Sequence, residues 1–472
     1  MTQYSDRFAP FAELMTAENL PESFIDNFAY YYDKLLAGDD GMIAENSIQP
    51  VSLLADSDAL PEHLMTIGRS VIPETVIIKL NGGLGTGMGL TGPKSLLVVK
   101  EGLSFLDIIA HQAISVDTPL LLMNSFATDN ESCSVLRRYP SLPQCLPLSF
   151  LQHKQPKVNA QTLTPASYPE DPELEWCPPG HGDLYIALDT SGMLEKLLDG
   201  GFKYAFVSNA DNLGAVLELG ILGYFVERKL PFLMEVADRT AADRKGGHLA
   251  QGRNGRLLLR EIAQCPTEDL DAFQDIHRHR YFNTNNLWLH LPTLHRLLVE
   301  RGHRLGLPMI RNYKTIDPRD PESTPVYQLE TAMGSAISVF DGAEAIRVPR
   351  ARFAPVKKTE DLLAVRSDAY ILTDDYRVVL APDREGIPPT IELDATHYRF
   401  VNDLDQRFPG GAPSLRCCHH FRVVGDFEFG SGVVARGQVL FTNPNDKRQR
   451  VPDGLIVDNS EWPEQVIPEP VI

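Results

Sequence analysis

Leu80–Ser95 reads Leu-Asn-Gly-Gly-Leu-Gly-Thr-Gly-Met-Gly-Leu-Thr-Gly-Pro-Lys-Ser, directly after the apolar run Val76-Ile77-Ile78-Lys79-Leu80. The run has the character of a buried strand, and the loop after it carries glycine at Gly82, Gly83, Gly85, Gly87, Gly89 and Gly92. Glycine lets a ligand reach the backbone, and successive N–H groups can converge on an anion. Lys94 closes the loop with a positive charge suited to phosphate oxygens. A strand, a glycine loop and a lysine in this order point to a nucleoside triphosphate.

Two familiar loops fit the letters but not the context. Gly87-x-Gly89-x-x-Gly92 matches the dinucleotide pattern, yet it lies well past the strand, and Leu96–Val99 after it reads as another strand rather than a helix. Gly87 to Gly92 with Lys94-Ser95 approaches a P-loop, but Pro93 removes an N–H where that loop needs a donor. A merely flexible linker rarely leaves a buried strand at this density of glycine.

From the loop outward, the chain alternates short apolar strands with amphipathic stretches. Pro119–Asn124, Tyr204–Ser208, Pro231–Val236 and Phe282–His290 read as strands, and Ser191–Leu198 as a helix closed by Gly200-Gly201. The pattern predicts an α/β domain over residues 71–384 with a mostly parallel sheet and ligands at the carboxyl ends of its strands. Residues 1–70 read as a helical packing segment, with Phe24, Ile25, Phe28, Tyr31, Leu35 and Leu36 at helical spacing. In residues 385–472, Leu415, Phe421, Phe427, Val433 and Val439 recur every sixth position, the period of a parallel β-helix, against the alternative of a coincidental run.

Composition bounds the partners. The 472 residues carry a net charge of −19, which disfavours nucleic acid and anionic membranes and requires that a triphosphate be neutralised locally. Six cysteines without metal-ligand spacing read as reduced cytosolic thiols, Cys417-Cys418 included. Neither a signal peptide nor an apolar span is read, so the expectation is a cytoplasmic protein.

Further residues suggest chemistry. Pro178-Pro-Gly-His-Gly-Asp183 is a second rigid loop in which His181 could donate to a phosphate. Tyr204–Ser208 runs into Asn209-Ala-Asp211, where extended geometry would aim positions 209 and 211 alike; a carboxylate at a strand's carboxyl end suits magnesium. Gly246-Gly247, Glu261 and Phe282–Asn286 supply amide and carboxylate groups for sugar hydroxyls. The segment Arg350–Lys358 adds basic residues, as surface charges or as a pyrophosphate grip.

Taken together, Lys79–Gly89, Gly92–Ser95, Leu122–Phe126, Pro178–Asp183, Asn209–Gly214, Met234–Val236, Lys245–Gly247, Glu261–Gln264, Phe282–Trp288, Gln328–Thr331 and Phe353–Lys357 resemble the eukaryotic-type UTP–glucose-1-phosphate uridylyltransferases from about residue 70 to the end. That resemblance implies a Rossmann-like nucleotidyltransferase domain with a mixed sheet, and a C-terminal left-handed parallel β-helix. It implies that Leu80, Asn81, Gly82, Gly83, Gln152 and Gly180 hold the uridine and that Lys94 and Lys357 grip phosphates and carry catalysis. His181 would lie beside these phosphates, Asp211 would bind Mg2+, and Asn209, Gly247, Glu261 and Asn285 would position the sugar. The implied partners are UTP and glucose 1-phosphate, with a homo-oligomer allowed. Three readings compete: a relative using another sugar 1-phosphate, a P-loop kinase, which Pro93 disfavours, and a nucleotide-sugar-binding protein without activity, which Lys94, Asp211 and Lys357 together disfavour.

Overall fold

The computed structural model describes residues 4–143 and 145–462. The first three residues of the expected N-terminal segment and the last ten of the expected C-terminal one lie outside them. The central sheet is built from Ala55–Asp56 (β1), Thr75–Asn81 (β2), Leu120–Asn124 (β3), Ser149–Leu151 (β4), Tyr204–Asn209 (β5), Phe232–Asp238 (β6), Tyr281–His290 (β7) and Glu344–Arg347 (β8). They lie side by side in the order β1-β8-β6-β7-β5-β2-β3-β4. Every pairing is parallel except those of β7, which runs antiparallel to both β5 and β6. The sheet is therefore mixed. Three shorter strands, Ile48–Pro50, His248–Gly252 and Leu257–Arg260, branch from β7.

Alternation along the strands sorts their side chains onto two faces. Val76 and Ile78 of β2 pack with the N-terminal helices Ala9–Ala17 (α1) and Glu22–Leu36 (α2), through Phe11, Phe24 and Phe28. Ile77 packs on the other face with Phe105–Ser115 (α3) and, later in the chain, Leu219–Glu227. The N-terminal helices thus cover one face of the sheet, with Phe24 stacked on His153 at 4.0 Å between ring centroids. A capping box of Ser104 and Asp107 starts α3 and satisfies donors that its first turn would leave open.

Two local readings change. The expected helix Ser191–Leu198 is present as Met193–Asp199 (α5), and a separate helix that the reading did not include, Leu184–Thr190 (α4), precedes it across Gly192 with φ of 66°. The expected strand Leu96–Val99 shrinks to Val98–Lys100, because Lys94–Leu96 closes a 3-10 turn after Pro93.

The C-terminal part of the chain has its own core. Thr390–Leu393 (β9), Ser414–Val424 (β10), Phe427–Phe429 (β11), Val434–Thr442 (β12), Gln449–Val451 (β13) and Ile456–Asp458 (β14) pair only in parallel. Phe421 pairs with Val439, Phe427 with Gln449 and Val434 with Ile456. All five positions of the six-residue repeat, Leu415 to Val439, are buried. This core also takes in Met88 of the glycine loop and Phe105 of α3. Gly89 lies directly against the Phe400 ring. The tip of the loop is thus supported by the C-terminal part of the chain.

Candidate functional site

Because β2 and β5 are adjacent and parallel, with Leu80 opposite Asn209, the glycine loop and the Asn209–Gly214 turn leave the sheet side by side. That places both loops at the carboxyl edge, where open α/β sheets bind ligands. On the side expected to take the nucleotide, Gly82 leaves the room that Gln152 fills: a Cβ there would sit 2.9 Å from the Gln152 amide nitrogen. Gln152 donates its backbone N–H to Asn124 at 2.8 Å, and Ser125 donates its hydroxyl to the Gly82 carbonyl at 3.1 Å. Leu80, Gly82, Gly83 and Gln152 are thereby brought to one edge. Asn81 turns inward instead: its amide donates to Asn124 Oδ1 and to the Ser132 hydroxyl, each at 2.8 Å. Its side chain braces the end of the strand.

The loop then folds back. The Lys94 N–H donates to the Gly83 carbonyl at 3.1 Å, and Lys94 Nζ lies 2.7 Å from Asp211 Oδ2. Asp211 sits in a turn, two residues beyond a strand that ends at Asn209, so the extended geometry expected through position 211 does not hold. Its other oxygen, Oδ1, is buried and has no hydrogen-bond partner among the described residues. A buried carboxylate oxygen left unpaired is costly, and a divalent cation coordinated by carboxylate oxygen would satisfy it. The residues present therefore fit magnesium.

Lys357 reaches the same place by a different route. The Val356 N–H donates to the Asp211 carbonyl at 3.1 Å, and Pro355 bridges to Asn212. These contacts lay the Phe353–Lys357 segment along the turn. The Lys357 charge is felt by both His181 and Glu261. Arg350 and Arg352, in contrast, pair with Asp243 and Glu235 and are not available as a pyrophosphate grip.

Gly180, with φ of 80°, passes so close to Thr331 that a Cβ would meet its N–H at 2.9 Å. Only glycine fits that turn, and it presents His181. The Met333 N–H donates to His181 Nδ1 at 3.0 Å, which fixes the neutral ring as the Nε2–H tautomer. His181 is solvent-exposed. The protein atoms packed around it, and after them the Lys357 charge, pull its pKa down to about 4. His181 is thus a neutral donor at ordinary pH.

On the side expected to take the sugar, Gly247 lies against the Glu261 side chain, whose carboxyl pKa is raised by enclosure and lowered again by Lys357. Between Glu235 and Val236 the register with β7 slips, so that Asn286 and Asn283 are the facing residues and Thr284-Asn285 bulge out. Asn285 takes φ of 60° there and is held by reciprocal bonds with Asn283, at 2.7 and 2.9 Å. Asn283 donates its N–H to the Gly247 carbonyl at 3.1 Å, which brings Gly247, Glu261 and Asn285 together.

Below the turn lies a buried polar network that the sequence reading left out. Arg352 makes two 2.7 Å bonds to Glu235, which also accepts from Trp288 Nε1 at 2.9 Å and Asn286 at 3.0 Å. Asn212 accepts from the N–H groups of Gly214 and Ala354. The available signal was a charged residue inside an apolar strand, Glu235 in β6 and Lys79 in β2.

Comparison with known proteins gives consistent neighbours. A profile of the UTP–glucose-1-phosphate uridylyltransferase family matches residues 25–436. The UTP–glucose-1-phosphate uridylyltransferase of Hordeum vulgare is 38% identical over 457 residues, covering 94% of this chain and 93% of that protein. The probable enzyme of the same name from Schizosaccharomyces pombe is 40% identical over 401 residues, covering 83% and 78%. Among solved structures, a mutant UDP-glucose pyrophosphorylase from Leishmania major, in complex with UDP-glucose, superimposes with a TM-score of 0.89 at 42% identity, covering 97% of this chain and 99% of that one. A Trypanosoma brucei structure described as a UDP-glucose phosphorylase gives 0.86 at 45% identity, with the same coverage.

Proposed function

The chain belongs to the UTP–glucose-1-phosphate uridylyltransferase family, and from that premise we propose that it joins UTP to glucose 1-phosphate, giving UDP-glucose and pyrophosphate, reversibly and with Mg2+. The observation that carries this reading is the meeting of Lys94 and Asp211 at 2.7 Å where the glycine loop and the β5 turn leave the sheet together, with the Lys357 segment laid along the same turn. The Leu80–Gly83 and Gln152 edge takes the uridine. Gly247, Glu261 and Asn285 take the glucosyl hydroxyls, with Asn209 at the neighbouring strand end.

A phosphate oxygen of glucose 1-phosphate attacks the α-phosphorus of UTP. A new P–O bond forms there, and the bond to the bridging oxygen breaks, that oxygen leaving with its electron pair as part of pyrophosphate. Lys94 and Lys357 neutralise the charge that shifts onto the leaving group, and His181 Nε2–H donates to a phosphate oxygen without losing its proton. No covalent intermediate on the protein is needed, so catalysis is positioning and electrostatics. A magnesium ion held by Asp211, when bound, supplies further positive charge for the triphosphate oxygens. In a protein of net charge −19 these local groups must do the neutralising.

The parallel ladders β9 to β14 and their six-residue repeat support a left-handed parallel β-helix at the C-terminus, after a catalytic domain over 71–384. Among the described residues no helix is long and apolar enough to cross a membrane. We place the protein in the cytoplasm.

The test is a pyrophosphate-release panel crossing UTP, ATP, GTP and dTTP with several sugar 1-phosphates, with and without Mg2+. Release from UTP with glucose 1-phosphate, and UDP-glucose as the product, is the expected result. Release only with a different sugar 1-phosphate would move the reading to that sugar. Asp211→Asn, which keeps the shape and removes the anion, is expected to lose nearly all turnover with the fold intact by circular dichroism.

A further inference from the structure

Lys79 is a lysine in the middle of a core strand, 2% exposed, and among the described residues it forms no ion pair. Its ammonium donates to the Ser208 hydroxyl and to the Ala215 carbonyl, each at 2.7 Å, and lies 5.6 Å from the centre of the Phe206 ring. Burial, and after it the Arg352 charge, push its pKa down to about 7. A charge-bearing group placed there carries a desolvation cost that an apolar side chain of the same length would avoid.

The two acceptors show what the group does. Ser208 is the last residue before Asn209, and Ala215 follows Gly214, so the ammonium bridges both feet of the turn that carries Asp211. Lys79 itself belongs to β2, one residue before Leu80, and is paired in register with Ser208. A second tie runs parallel to it: Arg352 donates to the Val216 carbonyl at 2.9 Å. The turn is therefore closed from beneath by the strand that continues into the glycine loop.

We infer that Lys79 is a positioning residue for uridylyl transfer: by bridging Ser208 and Ala215 it fixes the Asp211 carboxylate relative to Lys94 on the glycine loop. The inference rests on the reading of Asp211 given above. Misplacement of a reacting group by about 1 Å can cost on the order of 100-fold in rate.

Lys100 supplies a matched control. It is another buried lysine, with its ammonium on the carbonyls of Val365, Ser367 and Tyr370, none of which belongs to the Asp211 turn. The experiment compares Lys79→Met, Lys100→Met and Ser208→Ala for melting temperature, for kcat and KM with both substrates, and for Mn2+ binding to the substrate-free protein by electron paramagnetic resonance. The expected result for Lys79→Met is a kcat at least about tenfold lower with both KM values within about threefold, and weaker Mn2+ binding. Lys100→Met is expected to lower the melting temperature with kcat and Mn2+ binding unchanged. Ser208→Ala should move kcat and Mn2+ binding in the same direction as Lys79→Met, by less.

Equal effects of Lys79→Met and Lys100→Met, or a folded Lys79→Met with unchanged kcat and Mn2+ binding, would overturn the inference. If Lys79→Met does not fold, Ser208→Ala decides, and unchanged kcat and Mn2+ binding there overturn it. Wild-type protein that makes no UDP-glucose would refute the proposed function separately, and the Mn2+ comparison would still decide the positioning role.

Discussion

His181 shows how one hydrogen bond sets a chemical role. With Nδ1 accepting from the Met333 N–H, only the Nε2 edge remains to face a phosphate, and protonation would break the bond from Met333. His181→Leu should therefore lower kcat/KM by about 10- to 100-fold, the worth of a hydrogen bond to a charged group, while His181→Gln keeps a donor and much of the rate. The sign for stability follows from the lowered pKa. Between the ordinary 6.5 and the folded value of about 4 the unfolded chain takes the proton and the folded one does not, so this group's contribution is lost as pH falls through that window. Urea denaturation of wild type and His181→Gln across pH 4–7 should show the acid loss reduced in the variant. If Lys94 and Lys357 grip phosphates as proposed, alanine at either should lower kcat by about 100-fold, more than it changes the UTP KM. Lys358→Ala, at an exposed neighbour, should change kcat by less than about twofold. On the sugar side, Glu261→Gln or Asn285→Ala should raise the KM for glucose 1-phosphate well above any change for UTP, by about 1–3 kcal/mol of lost hydrogen bonding.

At the scale of elements, the C-terminal strands are held by stacked apolar residues rather than by long helices. Phe421 and Phe427 are fully buried, and Phe421 lies 5.6 Å from Phe441 between ring centres. Phe421→Ala should cost about 3–5 kcal/mol and lower the melting temperature by several degrees, read by calorimetry. The bulge in β7 is an element of a different kind. It interrupts an apolar strand to turn Asn285 outward, and the Thr284 hydroxyl pins it by donating to the Glu235 carbonyl at 2.7 Å.

At the scale of the whole molecule, the parts share cores. The glycine loop contributes Met88 to the C-terminal core, and α1 and α2 cover a face of the central sheet. A chain ending at residue 384 would expose Met88, Phe105 and Val356 and remove Phe400 from Gly89. It should be insoluble or inactive, and expression with size-exclusion chromatography checks this.

What the sequence determined by itself was local and periodic. The density of glycine after Val76–Leu80, the Pro93 that excludes a P-loop, and the six-residue recurrence of Leu415 to Val439 are all read within short windows, where spacing alone carries the physical content. The roles expected of Lys94, Asp211, Lys357 and the residues expected at the sugar came from the family resemblance that their contiguous motifs carry. Tertiary structure alone decided which of these groups meet. The antiparallel return of β7, the inward turn of Asn81, the pairing of Lys94 with Asp211, and the Met333 N–H that sets the His181 tautomer all join residues far apart in the chain. The same holds for Lys79 beneath the Asp211 turn and for Arg352 on Glu235. A hydrogen bond depends on distance and direction in space, and no spacing in the sequence encodes either across a sheet.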